Sequence, residues 1–115
     1  MRKDDRIRLQ HMLDAGRDAR AFAEGRTRSD LDGNRMLVLS LVKSLEILGE
    51  AAARVSQGCR DSAPDVPWAA IVGMRNRLIH GYYDVDLDRV WDTIHDDLPP
   101  LVASLERFLR SSDED

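Results

Sequence analysis

From Asp5 to Ala23 the apolar positions Leu9, Met12, Leu13, Gly16, Ala19, Phe22 and Ala23 recur three and four residues apart, the spacing that lays one apolar stripe along an α-helix. Gly25 ends this helix, and in the turn-rich "GRTRSDLDGN" either Ser29 or Asp32 is expected to cap the next one. The segment from Met36 to Val55 is the most apolar of the chain: Met36, Leu37, Val38, Leu39, Leu41, Val42, Leu45, Ile47, Leu48, Ala51, Ala52 and Val55 leave few polar positions. A helix apolar nearly all round belongs at the centre of a bundle.

That helix stops in "SQGCRDSAPDVP", where "QGCR" reads as a loop and Pro67 suits the first turn of a new helix over "PWAAIVGMRNRLIH". Gly81 can take the left-handed conformation that ends a helix, which leaves His80 in the last turn. "DVDLDRVWDTIHDDL" restarts with Asp84 or Asp86 as cap and Leu87, Val90, Trp91 and Ile94 as its apolar face. Pro99 and Pro100 should break or kink it before "LVASLERFL" resumes the helical period. No segment alternates as a strand does. The expected architecture is an all-α antiparallel bundle of four or five helices, one domain over residues 1–110 with a disordered acidic tail at 111–115.

Composition narrows the picture. With 115 residues the chain buries a single core and leaves much surface for a partner or a second copy. No apolar run approaches the roughly 18 to 20 residues of a membrane span, and "MRKDDRIRLQ" lacks the apolar core of a signal peptide, so the expected location is the cytoplasm. The single cysteine, Cys59, has no internal disulfide partner and reads as an incidental thiol. A net charge of −4 argues against strong non-specific binding to nucleic acid. The charge is uneven, however: residues 1–58 carry 11 basic and 9 acidic side chains, residues 59–115 carry 6 and 12.

The candidate chemistry lies in "GMRNRLIHGYYDVD". Asn76 and His80 stand four residues apart and therefore share a helix face, with Arg75 offset but long enough to reach an anion between them. Imidazole, amide and guanidinium together can manage a phosphodiester: histidine moves protons near neutral pH, arginine stabilises phosphate charge, and asparagine orients an oxygen. In metal-free RNA cleavage the substrate's own 2′-hydroxyl is the nucleophile. The same residues also fit a plain helix end, where the macrodipole favours a histidine and Tyr82 and Tyr83 cover the core. Glu46 and Glu50 are spaced i, i+4 in the apolar helix; Glu46 suits its exposed strip, and a buried Glu50 would need a partner such as Arg75. His11 and His95 show no metal-type pairing, and no phosphate-cradling glycine loop occurs, so no metal or cofactor is expected.

The stretches "SLEILGEAAARVS", "PDVPWAAIVGMRNRLIHGYYDVDLDRVW" and "DLPPLVASLERFL", in that order, closely resemble the HepT-like HEPN family of toxins from about Met36 to Leu109. The most specific part is R-x-x-x-x-H-x-Y, met by Arg75, His80 and Tyr82, with Asn76 as the polar residue after the arginine. The resemblance implies a helical homodimer with two motifs facing one cleft, acting as a metal-independent endoribonuclease toxin of a two-gene toxin–antitoxin module. It further implies neutralisation by an MntA-type nucleotidyltransferase antitoxin that transfers AMP from ATP onto the motif tyrosine, here Tyr82, with Tyr83 as an adjacent hydroxyl. Since −4 per chain disfavours indiscriminate RNA binding, a local basic cleft of Arg75, Arg77 and Arg54 from both subunits is expected. The alternative is a non-catalytic subunit that presents a nucleotide or substrate to the nucleotidyltransferase. A third reading is a helical dimerisation module.

Overall fold

The computed structural model describes residues 1–81 and 84–114, the last two in backbone only. The first helix, α1 (Lys3–Ala23), buries Leu9, Met12, Leu13, Ala19 and Ala23, and Gly25 ends the turn after it with φ 74°. Phe22, expected on the apolar face, is instead 45% exposed. At Gly16 an added Cβ would lie 3.1 Å from Val102 and 3.6 Å from Leu48, so the missing side chain lets two other helices close onto α1.

A four-residue turn of helix, α2 (Asp30–Gly33), precedes α3 (Arg35–Ala53). The cap of α3 is neither Ser29 nor Asp32 but Asn34, whose side chain accepts from the Leu37 amide at 3.0 Å. The two expected caps sit too early: Asp32 lies inside α2, where it takes an ion pair from Arg28 at 2.9 Å. Helix α3 is central, packed between α1 and α5, and buries Leu37, Leu41, Val42, Leu45 and Leu48. It is apolar nearly all round without being buried all round: Met36, Leu39 and Ile47 are 77%, 51% and 45% exposed.

The segment read as a loop around Cys59 is a helix, α4 (Gln57–Ser62), capped by Ser56, and Cys59 is buried in it. Arg60 explains why the chain can turn here. Its guanidinium group donates to the carbonyl oxygens of Ala52, Ala53 and Val55 at 3.0 to 3.2 Å, closing the end of α3, and stands 5.7 Å from the centre of the Trp68 ring. Ser56 in turn donates its amide and hydroxyl to the buried Asp5 carboxylate at 2.8 and 2.7 Å, which ties the start of α1 to the end of α3.

Pro67 opens α5 (Trp68–His80) as expected. The helix ends at Gly81 without the left-handed conformation: φ is −124°, and the Gly81 amide donates to the Arg77 carbonyl at 2.9 Å. Asp86 caps α6 (Leu87–Asp92) through the Arg89 amide. The expected break at Pro99 and Pro100 takes a different form. One π-helical turn, Thr93–Asp97, widens the chain just before them, and α7 (Leu98–Glu114) starts with both prolines in its first turn. The Leu98 amide reaches back to the Thr93 carbonyl, and the prolines after it, which have no N–H to offer, ask nothing of the turn before them. Helix α7 buries Leu98, Leu101, Val102, Leu105 and Leu109 and runs to Glu114, into the segment expected to be a disordered tail.

The described residues form helices and turns with no strand, the all-α architecture expected of a HEPN-type bundle. None of these helices is long and apolar enough to cross a membrane.

Candidate functional site

Helix α5 turns Ile71 and Leu78 into the core, which leaves Asn76, Arg77, Ile79 and His80 exposed and Arg75 at the seam with α3. The seam is very close. A Cβ on Gly49 would overlap Cβ of Arg75 and lie 3.3 Å from the Ile71 carbonyl oxygen, so only glycine lets α5 approach here.

Arg75 is held in two directions. One terminal nitrogen donates to Glu50 Oε2 and the other to Asn76 Oδ1 at 2.8 Å. Glu50 also takes Arg54 at 3.5 Å on its other oxygen. The Glu50–Arg75 partnership raised by the sequence is therefore present, although Glu50 is 44% exposed and not buried. Of the two glutamates it is Glu46 that is more covered, at 24% exposure, with Lys43 at 4.0 Å. Arg75 Nε is buried without a hydrogen-bond partner, an uncompensated donor on a charged group.

Asn76 and His80 stand one turn apart on the exposed side, and Arg75 donates to the Asn76 side chain beside them. Such a set can hold a phosphodiester, take a proton from a 2′-hydroxyl or give one to a leaving oxygen, and stabilise the added charge of the transition state. Tyr82 and Tyr83 lie outside the described residues.

Within one chain Arg77 does not share a groove with Arg54; it lines a second one, of about 760 Å³, beside Arg89, Asp92 and Asp97. Its position two residues beyond Arg75 rotates it about 200° around the helix, so proximity in sequence gives no proximity in space. The groove that does contain Arg54, of about 380 Å³, also contains Glu50, Lys43, Arg8, which the sequence does not single out, and His11, which the sequence raises only as a metal ligand. Nothing local in "RIRLQH" signals this, because the other wall is built by residues more than thirty positions away. Among the described residues no group of three or more His, Cys, Asp or Glu is arranged to hold a metal ion.

The model of the family described as "Ribonuclease HepT-like" matches residues 12–108. The chain is 30% identical over 105 residues to "Putative RNase MJ1380" of Methanocaldococcus jannaschii, covering 91% of this chain and 96% of that protein. It is 32% identical over 108 residues to "Putative RNase TTE0752" of Caldanaerobacter subterraneus, covering 94% and 96%. To "Probable ribonuclease HepT" of Thermococcus cleftensis it is 33% identical over 69 residues, 60% of this chain and 63% of that one. No solved structure matches. With the family model spanning α1 to α7 and the Arg75–Asn76–His80 strip inside it, the chain belongs to the HepT-like family.

Proposed function

We propose that the protein is the ribonuclease toxin of a two-gene toxin–antitoxin module and cleaves RNA without a metal ion. The observation that carries this reading is the exposed pair Asn76 and His80 one turn apart, beside a guanidinium group that Glu50 and Asn76 hold in a single orientation. In this mechanism His80 moves the protons, the 2′-hydroxyl of the RNA attacks the adjacent phosphorus, and the 5′-oxygen leaves as a 2′,3′-cyclic phosphate forms. Arg75 stabilises the charge that builds on the phosphate oxygens, and Asn76 orients one of them.

The working form is a homodimer with its two motifs across one cleft. Met36 and Leu39, apolar and 77% and 51% exposed on α3, supply a surface for that contact. An MntA-type nucleotidyltransferase is the antitoxin, transferring AMP from ATP to Tyr82, with the adjacent Tyr83 as a second acceptor hydroxyl. An anion two residues from His80 would occupy the phosphate site and compete for Arg75.

A second reading draws on the same ion pair. Glu50 already neutralises Arg75, which suits a subunit that only presents a nucleotide or substrate to the nucleotidyltransferase. The deciding experiment is RNA cleavage by unmodified protein in EDTA, wild type against His80→Ala, with product ends mapped. Cleavage by the wild type alone, leaving 2′,3′-cyclic ends, is the expected result; equal behaviour of the two proteins leaves the binding subunit. Intact mass after co-expression with the nucleotidyltransferase gives the number of AMP groups added, and loss of the increment in Tyr82→Phe assigns the acceptor.

A further inference from the structure

We propose that the groove between α1 and the α3–α5 seam is a flanking-phosphate subsite, in which Arg8, His11 and Arg54 hold the RNA strand as it leaves the Arg75–Asn76–His80 strip. The proposal rests on the ribonuclease reading and adds the path of the substrate to it.

Three observations carry it. The groove is continuous with the motif: Glu50 in its wall is the carboxylate to which Arg75 donates, and Ile79 at its rim immediately precedes His80. A strand whose scissile phosphate sits on Arg75 therefore has this groove beside it, across Glu50.

Its charge suits a polyanion although the chain as a whole carries −4. Counting Arg75 behind Glu50, the cations Arg8, Lys43, Arg54 and Arg75 face only Glu46 and Glu50. The other flank of α5 is the opposite case, where Arg77 and Arg89 stand among Asp65, Asp92 and Asp97. A phosphate chain crossing α5 is thus drawn toward α1 and repelled from α6.

Two of the donors are placed and unused. Lys43 pairs with Glu46 and Arg54 with Glu50, which occupies both carboxylates. Arg8 and His11 make no hydrogen bond or ion pair among the described residues, yet both line the groove three residues apart on α1. Leu9 and Met12, fully buried between and beside them, fix the rotation of α1 and hence the direction of these two side chains. Arginine and histidine so presented match the phosphate contacts through which proteins hold single-stranded nucleic acid.

The test measures binding and turnover separately. A fluorescein-labelled single-stranded oligoribonucleotide is titrated in anisotropy with the full chain carrying His80→Ala, and with the same chain carrying Arg8→Ala and His11→Gln in addition. The added pair is expected to weaken binding about tenfold and to flatten the slope of log K against log salt by about 0.7 for each phosphate the protein no longer neutralises. Arg8→Lys should keep most of the affinity and Arg8→Glu should lose more than Arg8→Ala. In the catalytically intact chain Arg8→Ala with His11→Gln should raise KM about tenfold and leave kcat within about twofold. Unchanged affinity and slope overturn the subsite, as does a fall in kcat with binding intact, or a loss of binding that accompanies a change in oligomeric mass or melting. If the wild type fails to cleave but binding responds as described, the ribonuclease reading fails and the subsite stands. If the wild type cleaves and the variants match it throughout, the subsite alone fails.

Discussion

Gly49 on α3 and Arg75 on α5 are in contact so close that a methyl group at Gly49 would overlap the arginine's Cβ. Arg75 is therefore seated by an absent side chain twenty-six positions upstream. Gly49→Ala should push α5 outward, with overpacking costing about 1 to 3 kcal/mol. We expect a lower thermal midpoint and a cleavage loss larger than the stability loss explains at a temperature where the variant is still folded. Circular dichroism melts and turnover at 20 °C below the variant's midpoint check it.

Glu50 and Asn76 together fix the plane of the Arg75 guanidinium group. Because Glu50 is 44% exposed, its ion pairs contribute under about 1 kcal/mol to stability. Glu50→Gln should thus melt close to wild type while kcat falls about tenfold, since one anchor of the arginine is weakened. Arg75→Lys should fall further, because an ammonium group lacks the rigid planar fork that serves Glu50 and Asn76 from two separate nitrogens. Steady-state kinetics with equal melting curves support this; equal kcat in Glu50→Gln and wild type removes Glu50 from the site.

Burial raises the pKa of the Asp5 carboxyl, and the hydrogen bonds from the Ser56 hydroxyl and amide, with the charge of Arg2, outweigh it, leaving the group below its ordinary value of 3.8. A carboxyl depressed in the folded state contributes stability that is complete above its unfolded pKa and is lost as pH falls through the folded value. The thermal midpoint of the wild type should therefore exceed that of Asp5→Asn at pH 6, and the gap should narrow as pH falls below about 4. A gap that is the same at pH 6 and pH 3 would sink the assignment.

Burial, with the nearby Asp5 charge, pushes the Cys59 thiol above its ordinary value. The thiolate is the reactive form, so the native protein should resist iodoacetamide at pH 7.5 and be alkylated readily in 6 M guanidinium chloride. Fast labelling of the native protein, followed by mass, would show that α4 opens readily.

The hydrophobic period by itself determined α1, α3, α5 and α6, because amphipathic spacing, Pro67 and the Asp86 cap act within a few residues of the elements they set. It also determined that Asn76 and His80 share a face, which depends only on the helical repeat. What lay beyond it required distant partners. The α4 turn is short and polar, and it is organised by Asp5 on Ser56 and by Arg60 on the end of α3. The exposure of Met36, Leu39 and Ile47 depended on which faces of α3 are taken by α1 and α5, since an apolar residue carries no mark of which neighbour will cover it. The seating of Arg75 on Glu50, the turning of Arg77 into the other groove, and the arrival of Arg8 and His11 beside the motif all follow from how α1 and α5 pack against α3. The repeat of a helix is a property of neighbouring residues and is written in the chain; the angle and closeness at which helices pack depend on side chains from both, so only the tertiary structure decided them.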